Sequence, residues 1–360
     1  MSKLRSSSTT ALIAIFALVL GAQGVAARDA APSGPTLVEN PATLHGVNRV
    51  AIGSFTVDIL DRTEATADVG GLELVTGAPS DIVVNLVGVD PSRYQTLVDG
   101  LYARFVADLQ AQGYTVVPRE ELAANAAFAK AKGAETGAVH LEKTAAGHNY
   151  YVSAQGLPIY MVDELMIVPR PAQISFMGKK AVRDPYIGWG TSFGGSFARV
   201  DMEKQRDVAK SLGAPVLDVR ITLLGGQAHI DRAFWKTRGS GRTDAAMIFV
   251  PTYNRVVVVP ATGAFSRVSL AEPVATDKLG ELVGTTSAAN HAMQTAGNAA
   301  IAASRVLGAF GGAGGFIGAM HYGNSSAFDL RTDEATFEAQ LSKGFAMVSQ
   351  TLATELAHNR

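Results

Sequence analysis

One serine in the sequence has the neighbours of a catalytic nucleophile. Residues 190–194 read Gly-Thr-Ser-Phe-Gly and satisfy G-x-S-x-G, the turn that raises a serine hydroxyl above the sheet of an α/β hydrolase. Asp218 and His229 follow in the chain order of the acid and base. The residues before the turn are charged and contain Pro185, and glycines stand where the helix should begin. We therefore predict no catalytic residue and keep a serine hydrolase using Ser192 as an alternative function.

The sequence also contains no motif that predicts a metal or cofactor site. The seven histidines are scattered, without H-E-x-x-H and without a carboxylate at ligand spacing on a shared helix face. The chain has no cysteine, which excludes disulfides, thiolate metal sites, cysteine nucleophiles and the lipidated cysteine of a bacterial lipoprotein. We predict no metal site and no cofactor.

A glycine-rich run, "VLGAFGGAGGFIGAM" at 306–320, has no charge. It matches neither the phosphate-binding G-x-x-x-x-G-K-[ST] loop nor the dinucleotide-binding G-x-G-x-x-G pattern. Its glycines recur four residues apart, the spacing that lets two helix backbones approach closely in lipid, but no clean apolar span of about 20 residues surrounds them. We favour a tightly packed or mobile segment within the fold over a helix that pairs with another subunit, and rank membrane insertion last. The packing or oligomerisation candidates are Gly308, Gly311, Gly312, Gly314, Gly315 and Gly318.

The amino terminus has the parts of a secretory signal. Lys3 and Arg5 precede an apolar run over 11–20, and Val25-Ala26-Ala27 fits a signal-peptidase site. The run is shorter than the ~20 apolar residues of a spanning helix. We predict that residues 1–27 are removed and that the protein is periplasmic or secreted, in a bacterium.

The overall composition indicates a folded protein. The chain is 47% hydrophobic and 18% charged, with a formal net charge of -1. It lacks the basic excess that binding to a phosphate backbone requires, so nucleic acid is not an expected partner.

The middle of the chain alternates strands and helices, which is the order of an α/β layer. After an extended arm over 28–44, apolar runs and periodicities predict strands at 47–57 and 81–89, a helix over 91–113 and a strand at 114–118. Further along, they predict a helix over 199–214 and a strand from 216 that is buried on one face. Two more strands are predicted at 245–251 and 255–263, with a turn between them. The predicted α/β (α+β) core spans 45–270, a mixed sheet flanked by helices, with irregular inserts near 58–80 and 145–198.

The last part of the chain changes character. A Gly/Ala-rich segment over 271–332 precedes a predicted amphipathic helix over 333–357. Its apolar stripe consists of Phe337, Leu341, Phe345, Val348 and Leu352.

Four pieces of the core suggest a family. They are "RVAIGSFTV" with Phe55, the helix that leads through Gly113 to Arg119, "AKSLGAPVLDVRITL" with Gly213-Ala214, and "VVVVPATGAFSRV". Together they cover roughly half of the chain and resemble the fold shared by the amino-terminal domain of TolB and the curli-secretion channel family. The resemblance implies an envelope assembly or binding role rather than catalysis. The curli-type channels are lipoproteins, whereas this chain has no cysteine to lipidate.

One further stretch bears on a channel. "YIGWGTSFGGSFARV" at 186–200 alternates large and small residues like a strand in lipid, although we favour a loop because no partner strand is evident. We therefore predict a non-enzymatic binding or assembly component of the bacterial cell envelope, with another envelope protein or a second copy as its partner. A channel-forming or membrane-associated oligomer subunit is the other alternative.

Overall fold

The computed structural model describes most of the chain from Pro35 onward, and these residues form one compact unit. The described residues are 35–66, 81–132, 139–144, 147–158, 197–231, 240–251, 253–285, 316–321 and 326–360. Strands and helices are both abundant and the large sheet is mixed. The predicted α/β class is confirmed.

The described helices are α1 (Tyr94–Ala111), α2 (Arg119–Ala124), α3 (Ala126–Lys132), α4 (Phe197–Leu212) and α5 (Glu334–His358). The described strands are β1 (Thr36–Glu39), β2 (Arg49–Leu60), β3 (Arg62–Thr66), β4 (Asp81–Val87), β5 (Thr115–Val116), β6 (Val139–Thr144), β7 (Gly147–Ser153), β8 (Val216–Asp231), β9 (Ser240–Phe249), β10 (Arg255–Val259), β11 (Ser266–Leu270), β12 (Val274–Lys278), β13 (Glu281–Gly284), β14 (Phe316–His321) and β15 (Ser326–Arg331).

The large sheet is built around two long strands, β2 and β8, which pair in parallel. Its path is β1-β11-β10-β8-β2-β7-β6, and β5 adds in parallel to the start of β2. The register sets Phe55 beside Val219 and Asp58 beside Thr222. Every other pair along this path is antiparallel.

Two strands share one edge of β8. The first half of β8 pairs with β10, where Arg220 lies opposite Arg255, and the second half pairs with β9, where Leu223 lies opposite Phe249. The turn predicted between the strands at 245–251 and 255–263 therefore does not close a hairpin. Instead, it separates β9 from β10, which pair with successive halves of β8.

A second, four-stranded sheet has the order β13-β15-β4-β3, with β4 and β15 parallel. It packs on the second half of β8. A Cβ on Gly225 would lie 2.6 Å from Cδ2 of Leu86, so the two layers approach as closely as a glycine allows. The Thr63 hydroxyl donates to the carbonyl of Gly226 at 3.4 Å.

Several predicted irregular regions contain strands. The insert near 58–80 includes the end of β2 and all of β3, and the insert near 145–198 includes β7 and the start of α4. The arm over 28–44 contributes β1 as a partner of β11, and its last residues form a 3-10 helix over Pro41–Leu44. The described parts of 271–332 form β12 to β15. These strands are short, and their pairing partners lie far away in the sequence, which local patterns do not reveal.

Helices α1 and α5 lie side by side and run parallel on one face of the large sheet. Near their first turns, the Arg93 guanidinium pairs with Glu334 at 2.8 Å. At their far ends, the Tyr114 hydroxyl donates to the carbonyl of Leu356 at 2.8 Å. The predicted apolar stripe of α5 is almost fully buried, and the Asp333 carboxylate caps the helix by accepting from the Thr336 N–H at 2.8 Å.

Candidate interaction surface

The face of the large sheet away from α1 and α5 carries a row of buried polar residues. On β2 and β8 the apolar side chains of the helix-covered face alternate with polar ones, as the two-residue period of a strand requires. The polar ones are Ser54, Thr56 and Asp58 on β2 and Asp218, Arg220 and Thr222 on β8, and each is at most 9% exposed. The sequence predicts that β8 is buried on one face, and this is wrong because both faces are covered.

Asp58 is the most enclosed acid of this row. Its Oδ2 lies 2.5 Å from Nε of Arg220 and accepts from the hydroxyl of Thr222 at 2.8 Å. Burial raises the pKa of Asp58 above its ordinary value, while the positive charge and hydrogen bond of Arg220, the hydroxyl of Thr222 and the charge of Arg255 act in the opposite direction. Desolvation thus outweighs the pairing, as is common for buried ions.

Asp218 belongs to a second buried cluster, four residues before Thr222 on β8. Its Oδ1 accepts from the Ser54 hydroxyl at 2.7 Å and from the Gln205 side-chain amide at 2.6 Å. This contact ties α4 to the sheet. Since His229 is eleven residues further along the same strand, its backbone is roughly 35 Å away at ~3.3 Å per residue. Asp218 and His229 therefore cannot be the acid and base of one triad.

Arginines continue the polar face across the neighbouring strands. The register sets Arg255 of β10 beside Arg220, and Arg267 of β11 lies one strand further out and pairs with Glu39 of β1. All three guanidinium groups are buried or nearly so. Asp58 pairs with Arg220 and Glu39 pairs with Arg267, and these two ion pairs favour one strand register.

An asparagine bridges the interruption between β9 and β10. The Asn254 side-chain amide donates to the carbonyls of Thr222 and Val250, both at 2.8 Å, and its Oδ1 accepts from the Thr222 N–H at 3.3 Å. The side chain thus takes the place of a strand residue opposite Thr222. No local sequence signal distinguishes this asparagine from an ordinary turn residue.

The other side of the molecule offers a surface of a different kind. We call the solvent-exposed side of α1 and α5 the outer helix face. Its exposed residues are Thr96, Gly100, Ala103, Arg104, Ala107, Gln110 and Ala111 on α1, and Ala335, Ala339, Ser342, Lys343, Met347, Gln350, Thr354 and His358 on α5. Most of these side chains are small, and very few carry a formal charge.

The two formally charged residues of the outer helix face are paired within the chain. Arg104 Nε lies 3.0 Å from the Asp108 carboxylate, one turn away on α1. The Lys343 ammonium pairs with Asp277 of β12. Met347 is 39% exposed, and only Val87 joins it as an exposed large hydrophobic side chain in the described part of the chain.

A shallow cleft of about 380 Å³ lies beside the start of α5. It is lined by Lys278, Leu279, Gly280, Arg331, Thr332, Asp333 and Thr336. The Asp333 carboxylate there is engaged in capping its own helix. The cleft lies at the junction between β12, β15 and α5.

The predicted packing glycines fall mostly outside the described residues. Gly308, Gly311, Gly312, Gly314 and Gly315 lie there, whereas Gly318 lies in β14, which pairs with β9 through Ile317 and Met320 on either side of a register shift. At Gly318 the chain is a strand, so the helix-packing spacing does not apply at that residue.

The remaining predicted features divide in the same way. Ser192 and residues 186–196 lie outside the described residues. Residues 197–200 begin α4, so both the favoured loop and the strand alternative for 186–200 are wrong over these last four residues. Across the described ranges, no three His, Asp or Glu side chains come together as a metal site. In that same part of the chain, no helix combines the length and the apolarity needed to span a membrane.

Comparisons with known proteins give no relative. No protein-family model, curated protein or solved structure matches the chain. The resemblance to the TolB amino-terminal domain and the curli-secretion channels stays a prediction from the sequence.

Proposed function

We propose that this protein is a non-enzymatic assembly component of the bacterial cell envelope, exported to the periplasm, and that it binds a protein partner through its outer helix face. The amino-terminal signal supports the compartment, and the resemblance to envelope proteins supports the kind of role. The main observation behind the proposal is that the two charged side chains of the outer helix face are already paired with carboxylates of the same chain.

The physical argument concerns the cost of covering a surface. A solvated helix face usually carries many charged side chains, and covering them requires their desolvation. On the outer helix face, Arg104 and Lys343 are the charged residues among the exposed positions, and each already has a carboxylate partner. A partner that covers this face therefore meets a low desolvation cost.

Side-chain entropy favours the same surface. Gly100, Ala103, Ala107 and Ala339 lose little or no rotamer freedom when a partner covers them. Gly100 is also unexplained by the packing of its own chain, because no described atom outside its chain neighbours and its own helix backbone lies within 4 Å of the position that a Cβ would take. A glycine in an exposed helix interior costs about 1 kcal/mol relative to alanine, and close approach of a partner backbone accounts for its presence.

The test is the native size of the protein in a periplasmic extract. We expect a chain that begins at Arg28 and elutes as a complex larger than one chain. The double variant Ala107→Glu/Ala339→Glu should shift to the size of a single chain. Ala129→Glu is the matched control, because Ala129 is an exposed helical alanine on α3, away from α1 and α5. A chain that retains Met1, or a wild type that elutes as a single chain, would contradict the proposal.

A further inference from the structure

The outer helix face has the size of a protein interface. Helix α5 has 25 residues and α1 has 18, which correspond to lengths of about 37 Å and 27 Å at 1.5 Å per residue. With a diameter of about 10 Å each, the two helices present roughly 600–700 Å². A stable interface buries about 800 Å² on each partner, so this face supplies most of what a stable dimer needs.

The charge distribution selects the kind of partner. An acidic or basic protein would be matched by a face of opposite charge, but here Arg104 is neutralised by Asp108 and Lys343 by Asp277. Arg93, at the border, is paired with both Glu334 and Glu338, at 2.8 and 2.6 Å. Like charges that meet across an interface are costly. A face that is neutralised locally avoids this cost when it meets an identical face.

We infer that the partner is a second copy of this chain, bound about a two-fold axis so that the outer helix faces of both copies meet. This inference rests on the proposed function and names the occupant of the same surface. In such an isologous contact the same surface patch of both copies forms the interface, so each residue occurs in it twice. The exposed Met347 and the alanines around it then become buried, and the exposed Gly100 lies where a facing helix comes close.

The absence of cysteine from the chain makes a direct test possible. Ala107→Cys and Ala339→Cys each introduce a single thiol into the outer helix face, and Ala129→Cys introduces one on α3 as the matched control. Under mild oxidation of the purified mature protein, we expect a disulfide-linked dimer with at least one of the two face thiols and none with the control. Equal linkage of all three would mean random collision and would overturn the inference.

Sedimentation velocity supplies the second measurement, without the cysteines. The purified wild type should associate to two chains as its concentration rises. Ala107→Glu/Ala339→Glu should weaken the association at least about tenfold, because the interface would have to desolvate the added carboxylates. Each glutamate has a cation one turn away in its own helix, Arg104 or Lys343, so the folded monomer should tolerate it. Ala129→Glu should associate like the wild type.

The two proposals fail in different ways. If the purified wild type remains a single chain at every concentration while the periplasmic extract contains a larger complex that the double variant loses, the partner is another protein. The inference of a second copy is then wrong and the proposed function stands. If the extract also contains only single chains, both are wrong.

Discussion

Asp58 and Arg220 lie on adjacent parallel strands, with Oδ2 2.5 Å from Nε, and both side chains are buried in the sheet. The two residues are 162 positions apart in the sequence. Their contact fixes the register of β2 against β8, because a slip of one residue would turn one partner to the apolar face under α1 and α5.

Breaking this pair should destabilise the fold strongly. We expect Asp58→Ala to lower the free energy of unfolding by about 3–5 kcal/mol, because Arg220 loses its buried carboxylate. The double variant Asp58→Leu/Arg220→Met should be less destabilised than the single one, and this is measured by urea unfolding. Asp207→Ala removes an exposed pair with Lys210 and should change the stability by under about 1 kcal/mol. A neutral Asp58→Ala would show that the pair does not hold the register.

The pH dependence of stability should reveal the raised pKa of Asp58. Between its ordinary value of 3.8 and the raised value, the folded chain holds a proton on Asp58 that the unfolded chain has released. The free energy of unfolding therefore falls as the pH rises through this window. Asp58→Asn cannot ionise, so the wild type should lose stability relative to this variant as the pH increases above 3.8.

Asp90 provides a control with the opposite sign. The Ser92 hydroxyl and then the Ser92 N–H donate to its carboxylate and lower the pKa of Asp90 below 3.8. Its contribution to stability is present above that value and is lost as the pH falls. Relative to Asp90→Asn, the wild type should therefore gain stability as the pH rises. Parallel slopes for the two variants would contradict the account of Asp58.

Asn254 should be hard to replace. Asn254→Asp keeps the size of the side chain but removes the donors that reach the carbonyls of Thr222 and Val250. Leaving such buried groups unpaired costs about 1–3 kcal/mol. Asn48→Asp changes an exposed asparagine and should be nearly neutral. Equal melting temperatures for the two variants would mean that the side chain does not bridge β9 and β10.

Two glycines in the helix interiors should respond in opposite directions to alanine. A Cβ on Gly344 of α5 would lie 2.2 Å from Cε2 of Phe249 and 2.7 Å from Cγ2 of Thr276. Gly344→Ala should therefore cost about 1–3 kcal/mol by overpacking. Gly100→Ala, on the exposed side of α1, should stabilise the monomer by up to about 1 kcal/mol. Thermal unfolding at low protein concentration compares them, and stabilisation by Gly344→Ala would contradict the packing of α5 on the sheet.

The sequence predicts the elements whose apolar periodicity is strong and local. Helix α5 begins one residue after the predicted position, and the stripe from Phe337 to Leu352 is buried as predicted. Strand β2 is recognisable from its β-branched run, although it continues past the predicted end to Leu60. Hydrophobic contacts along one helix or strand are encoded within a few residues, so they can be recognised without knowledge of the rest of the fold.

Long-range pairing is what the sequence does not reveal. Residues 62–66, "RTEAT", form a strand because β4 pairs with them, not because of an apolar run. The polar residues of β8 are typical of a solvated face, yet Asp218 and Arg220 find partners on β2. The outer helix face has a weak signal, since α5 has only Lys343 as a formally charged residue between Ala339 and Thr354. That signal becomes meaningful only when burial identifies which positions are exposed.

Crosslinking in intact cells tests the central claim most directly. A photoreactive amino acid at position 107 or 339 places the probe on the outer helix face, and the same probe at position 129 is the control. After irradiation, we expect both face positions to link the exported chain to a protein, with a mass that corresponds to two chains, while position 129 gives no such product. Irradiated cells in which positions 107 and 339 give only the uncrosslinked chain would contradict the claim that the outer helix face is a binding surface.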